Sequence, residues 1–278
     1  MKAAFLKDEA FVRDAAAHCG QPGLRLWWLG QSGFLVHYGG RFALLDPYLS
    51  DSLTRKYAAT DKPHVRMTER VVDPGRLGSI EFVTSSHNHT DHLDSETLQP
   101  LRAANPGLKI IVPEANRAFA AERLGCEPAE LTGMVDGQRL ELPPFTLEAL
   151  PAAHEALDTD ELGRNLYLGY VLTAGPHRIY HSGDTVLYEG LAGRLRALAP
   201  TIALLPINGA NPERRVAGNL RGSEAAVLAR EAGAGLVIPC HYDMFEFNTA
   251  DPEDEFVPAC RAIRQQYRIL RNGEGVTL

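Results

Sequence analysis

Residues 86–94 read Ser-His-Asn-His-Thr-Asp-His-Leu-Asp and place three imidazoles and a carboxylate, His87, His89, Asp91 and His92, within six positions. All four are groups that bind divalent cations. In extended or looped backbone, residues two apart face the same way, so His87 and His89 pair while the neighbours Asp91 and His92 diverge. That spacing suits two adjacent ions better than one; the plainer alternative is a polar turn that happens to be His-rich. The apolar run at 80–84 leads straight into the cluster and predicts a buried strand. Ligand sites in layered α/β proteins sit at such strand mouths.

Three later strand ends carry the same chemistry: His154 after an apolar stretch at 145–150, Asp184 in Tyr180-His181-Ser182-Gly183-Asp184-Thr185, and His241 after 236–238. A lone histidine after a strand is usually structural, but recurrence beside the cluster changes the weighing. The expected partition gives His87, His89 and His154 to one ion, Asp91, His92 and His241 to the other, with Asp184 bridging. Imidazole and carboxylate donors suit zinc or manganese, with iron also possible. Cys240 adjoins His241 in a strand, points to the opposite face, and is expected in the core. Asp46, closing a strand at 41–45, is placed to orient a metal-bound imidazole from behind, or simply to form a turn before Pro47. Two ions about 3.5–4 Å apart can share a hydroxide and polarise a carbonyl or phosphoryl oxygen. This is chemistry for hydrolysing esters, lactones, amides or phosphoesters, with Asp91 and Asp184 as catalytic carboxylates and a nearby carboxylic acid protonating the leaving oxygen.

The elements that must hold these residues follow from periodicity and turn chemistry. Residues 5–18 have helical spacing and stop at Gly20-Gln21-Pro22-Gly23; residues 1–23 read as a helical appendage. Strands are expected at 24–29, 34–38 and 41–45, separated by glycines. Residues 50–75 show no sustained period and read as a solvated surface excursion carrying Arg55, Lys56, Lys62, His64 and Arg66. Beyond the cluster, a short helix begins at 94–98. Strands follow at 108–112, 131–135, 138–142, 145–150, 166–173, 178–180, 201–205, 236–238 and 267–270. Helices are expected at 114–124, 186–199, 222–232 and about 254–266. No composition break marks a linker, so residues 1–278 read as a single domain.

The 278 residues are 45% hydrophobic and 23% charged, with 28 Lys+Arg against 35 Asp+Glu and a formal charge of −7. That acidic balance argues against nonspecific nucleic-acid binding, which is driven by phosphate neutralisation, but allows a small anionic substrate. No apolar run is long enough for a bilayer, and Met1-Lys2-Ala3-Ala4-Phe5-Leu6-Lys7-Asp8-Glu9 turns acidic too soon for a signal peptide. Cys19, Cys126, Cys240 and Cys260 are scattered, as for reduced thiols in the cytoplasm.

His87-x-His89-x-Asp91-His92 followed by His154, Asp184 and His241 resembles the metallo-β-lactamase superfamily motif in order and spacing. The resemblance implies an α/β fold, a four-layer αββα sandwich with the metals at one sheet edge. Within the superfamily the chain looks like the L-ascorbate-6-phosphate lactonases. The likeness runs through Leu26-Trp27-Trp28-Leu29-Gly30, residues 180–185, Leu205-Pro206-Ile207-Asn208-Gly209, Gly218-Asn219-Leu220 and residues 238–245. It implies a cytosolic homo-oligomer that uses manganese to open a sugar-phosphate lactone. A phosphate pocket would then draw on Asn208, Arg214, Arg215, Asn219 and Arg221. Two rivals stand beside this reading: a metal-dependent phosphodiesterase, and a catalytically silent metal-binding assembly protein.

Overall fold

A computed structural model describes all 278 residues. The chain forms two compact units, residues 1–134 with 244–247 and 270–278, and residues 135–243 with 248–269. Each is a β-sheet with helices.

The first unit holds β1 (Arg25–Gly30), β2 (Gly33–Tyr38), β3 (Arg41–Leu45), β4 (Ile80–Thr84), β5 (Lys109–Pro113) and β6 (Thr132–Met134). Its helices are α1 (Asp8–His18), α2 (Ser52–Tyr57), α3 (Ser95–Ala104) and α4 (Arg117–Leu124). β1 to β3 form an antiparallel meander, and β3 to β6 run parallel. Parallel neighbours need crossovers, supplied here by the 46–79 excursion with α2, by α3 and by α4. Strand residues are buried on both faces. One face gives Trp27, Leu29, Leu35, Phe42, Leu44 and Val83 to a core shared with Phe11 of α1, Leu98 and Leu101 of α3, and Leu124 of α4. Asp14 ties α1 to β1 by accepting from Trp27 Nε1 at 2.7 Å and from Arg25 Nη2 at 2.9 Å.

The second unit holds β7 (Arg139–Leu142), β8 (Phe145–Pro151), β9 (Leu168–Ala174), β10 (His177–His181), β11 (Ile202–Pro206) and β12 (Leu236–Cys240). Its helices are α5 (Leu191–Leu198), α6 (Gly222–Ala232) and α7 (Phe256–Ala262). β7 to β10 are antiparallel and β10 to β12 parallel, so the second sheet repeats the meander-then-parallel plan of the first.

Five expectations need correction. The 50–75 excursion contains α2, a six-residue helix too short to display a 3.6-residue period. Arg66 in it is not solvated: it is 8% exposed, with Nε donating to Asp51 Oδ1 at 2.7 Å and Nη1 to Met244 Sδ at 3.1 Å. The helix expected at 186–199 starts only at Leu191; Tyr188 hydroxyl donates to Pro151 O at 2.7 Å and Gly190 is left-handed. The last helix ends at Ala262 rather than 266, with Arg264 at φ +56°. The strand expected at 267–270 is a single bridge from Tyr267 to Val237, whereas β13 (Gly275–Thr277), which shows no strand signal, pairs antiparallel with β1.

Candidate metal centre

Strand direction brings the candidate ligands to the sheet edges. In the first sheet β1, β3 and β4 point the same way, so Gln31, Asp46 and the 85–92 loop emerge at one C-terminal edge. In the second, β8, β10, β11 and β12 are co-directional, and His154, Asp184, Asn208 and His241 follow their C-terminal ends.

At the first edge Asp46 is fully buried and sits at φ +41°. Its carboxylate accepts from Thr84 Oγ1 at 2.8 Å and from Ser86 N at 3.0–3.1 Å, and lies 2.8 Å from His92 Nδ1. A carboxylate accepts from a neutral imidazole only if Nδ1 carries the proton, which leaves the Nε2 lone pair as the ligand atom. Ser86 Oγ stands 3.0 Å from His87 Nδ1 and, as a hydroxyl can donate or accept, engages that nitrogen in either tautomer. The His87 ring lies 4.6 Å from that of His89 and 4.2 Å from that of His92. Asp91 Oδ2 accepts from Gln31 Nε2 at 2.8 Å and lies 3.7 Å from His92 Nε2. Arg123 of α4 braces the loop from below, its Nη1 donating to Asn88 O at 2.5 Å and Leu93 O at 3.2 Å.

At the second edge His154 Nδ1 donates to Gly218 O at 2.9 Å, since a carbonyl can only accept, and its Nε2 lies 3.5 Å from Asp184 Oδ2. His241 Nε2 lies 3.4 Å from the same oxygen. The three side chains are 2–5% exposed. Gly183, at φ +59°, makes the tight turn that presents Asp184. His154 and Asp184 are tied together through the Ala153 N to Thr185 Oγ1 and Val186 N to Ala153 O hydrogen bonds, at 3.0 and 2.7 Å. Burying a carboxylate beside two imidazoles is costly unless a positive partner compensates it. These His and Asp clusters are able to bind metal ions, and the donor set of imidazole nitrogen and carboxylate oxygen fits a divalent transition metal. Cys240 is buried, as expected of a core residue.

The substrate candidates are divided. Asn208, Arg214 and Arg221 line a cleft of about 480 Å³ that also carries Asp251, Asp254 and Glu255. Arg214 Nη2 donates to Asn208 O at 2.6 Å and Nη1 to Asn248 Oδ1 at 2.7 Å, with no carboxylate partner. Burial pushes its guanidinium below the usual arginine range. Arg215 is exposed and stands outside the cleft lining. Asn219 lies behind it, 2% exposed, with Nδ2 donating to Asn208 Oδ1 at 3.1 Å. Sequence reasoning missed Gln31, Ser86, Arg123 and Asn248, because each acts through a partner that no local pattern names.

Comparison with known proteins agrees with this architecture. Residues 41–242 match the β-lactamase superfamily domain. A UPF0173 metal-dependent hydrolase of Aeropyrum pernix is 29% identical over 265 residues, 90% of this chain and 96% of that protein. One from Alkaliphilus metalliredigens is 30% identical over 238 residues, 83% of this chain and 90% of that protein. Among solved structures, the metallo hydrolase Igni18 of Ignicoccus hospitalis superposes with a TM-score of 0.67 at 23% identity, covering 92% of this chain and 98% of its own. The chain therefore belongs to the metallo-β-lactamase superfamily, in the family of its metal-dependent hydrolase relatives.

Proposed function

We propose that the protein is a dinuclear metal-dependent hydrolase that opens a small lactone carrying an anionic group, with a sugar-phosphate lactone as the leading candidate. The observation that carries the reading is the donor set. The first unit gathers His87, His89, Asp91 and His92 in the loop after β4, and the second sets His154 and His241 within 3.5 Å of Asp184, all of them imidazole or carboxylate donors. Zinc or manganese suits these donors. Such ions, when bound, supply Lewis acidity and acidify water.

The chain's own residues do the rest. Asp46 and Gly218 O fix the tautomers of His92 and His154, with the proton on Nδ1 and Nε2 left as the ligand atom. Asp184, with His154 and His241 beside it, would hold metal, and Asp91 would help to orient the water that a bound metal acidifies. Arg214 and Arg221 supply the anion subsite. Arg214 supports this role best, because it is a half-buried cation whose contacts are all neutral. Asn208 and Asn219 set its position, and Arg215, which is exposed and outside the cleft lining, has no part in the subsite.

The test is an assay of stripped and reloaded protein against phosphorylated and unphosphorylated lactones and bis(p-nitrophenyl) phosphate. Acid release from lactones is expected only with metal, and Asp184→Ala is expected to lose metal and turnover together. Arg214→Ala is expected to raise KM for phosphorylated lactones roughly 10- to 100-fold, for about 1.5–3 kcal/mol of charge-assisted hydrogen bonding. Turnover that survives complete stripping sinks the reading, and activity confined to the phosphodiester transfers it to a phosphodiesterase.

A further inference from the structure

Gln31 occupies the turn between β1 and β2 in a left-handed conformation, φ +50°, that side-chain-bearing residues seldom adopt. The turn is closely packed. Gly30 before it is also left-handed, and a Cβ there would meet Met244 Cε at 2.7 Å and Asn272 Oδ1 at 2.9 Å. The Gln31 carbonyl accepts from Trp28 Nε1 at 3.0 Å, anchoring the turn to a buried indole. With the backbone held this way, the side chain is 1% exposed and its Nε2 donates to Asp91 Oδ2 at 2.8 Å, across 60 positions of sequence. A non-glycine residue kept in a strained turn, whose amide ends on a candidate ligand, points to function at that amide.

We infer that Gln31 is a positioning residue for Asp91, fixing which way this carboxylate is presented to the cation that it would hold beside His92. The inference rests on the dinuclear reading above. Asp91 needs such help more than the other carboxylates: its side chain is 16% exposed, against 0% for Asp46 and 5% for Asp184. The type of residue matters as well. A lysine or arginine would orient Asp91 equally well but would cancel the negative charge a cation requires. A neutral amide donates its hydrogen bond and leaves the charge in place. Asp46 performs the matching task for His92, so the adjacent ligands Asp91 and His92 are each held by a residue that follows a co-directional strand, β1 or β3.

The experiment is a zinc titration of metal-stripped full-length protein against a competing chromophoric chelator. It compares wild type with Gln31→Met, which keeps the length and loses the donor, and Gln31→Gly, which suits the left-handed turn. Wild type is expected to take up two ions in distinguishable steps. Both variants are expected to weaken one step about 10- to 100-fold, the effect typical of a residue supporting a metal ligand, and to leave the other unchanged. Gln31→Gly matters because it removes the amide without opposing the turn; it carries the test if Gln31→Met folds poorly. Two unchanged steps in Gln31→Gly, or two steps weakened equally, overturn the inference while the dinuclear site stands. A wild-type protein that takes up fewer than two ions defeats the dinuclear reading itself, and this inference with it.

Discussion

Asp46 shows how much one residue does at this centre. Its fully buried carboxylate has three polar neighbours, the Thr84 hydroxyl, the Ser86 amide and the His92 ring, and its backbone sits in the left-handed region to meet them. Hydrogen bonds on every side make the burial of a charge tolerable. Asp46→Ala removes the acceptor that fixes the His92 tautomer and leaves Ser86 N–H without it. Zinc retained after dialysis against a chelator, read by atomic absorption, is expected to fall, with affinity down about 10- to 100-fold. Retention equal to wild type would show that Asp46 only closes the turn. The ligand types at 87–92 were legible because donor residues crowd a short stretch. The role of Asp46 was open in the sequence, since the turn and ligand-support readings fit Asp46-Pro47 equally; its bond to His92 spans 46 positions.

At the scale of elements, β4, α3 and the cluster loop obey local rules, and so do α6 and the strands on either side of it. α1 is a different case, because its apolar face has meaning only against a sheet. Phe11 is fully buried and meets Trp27 edge-on at a ring distance of 6.4 Å. Phe11→Ala is expected to cost about 3–5 kcal/mol, seen as an earlier urea midpoint at unchanged slope. A shift below 1 kcal/mol would mean that α1 is a loosely held appendage. The elements misread in the sequence are those whose ends depend on partners. β13 has three residues and exists because β1 offers it a free edge. α5 starts late because Tyr188 is drawn to Pro151, a hydrogen bond that accompanies burial deep enough to raise its phenol pKa to about 12.

For the molecule as a whole, no helix is long and apolar enough to cross a membrane. Stability should carry an acid limb to which buried His37 contributes. Burial pushes its pKa below 6.5, while its Nε2 donates to Cys19 O at 3.1 Å. The folded state therefore keeps His37 neutral at a pH where the unfolded chain has already bound a proton. Its contribution is complete above about pH 6.5 and is lost as pH falls from there through the folded value, with a slope of at most about 1.4 kcal/mol per pH unit for one proton. Urea unfolding between pH 7.5 and 5.5 is expected to show a shallower loss in His37→Gln than in wild type; parallel curves would remove His37 from the account.

Donor chemistry, strand order and the helix periods are local properties, written in residue type and spacing. By themselves they determined a His- and Asp-rich centre at strand ends and the family to which the chain belongs. What only the tertiary structure decided is who holds whom. Gln31 finds Asp91, Asp46 finds His92 and the carbonyl of Gly218 finds His154, while Arg215 falls outside the cleft that Arg214 lines. These pairings depend on which strands run the same way and how their ends come together. A hydrogen bond between positions 46 to 64 apart leaves no periodic trace in a single sequence.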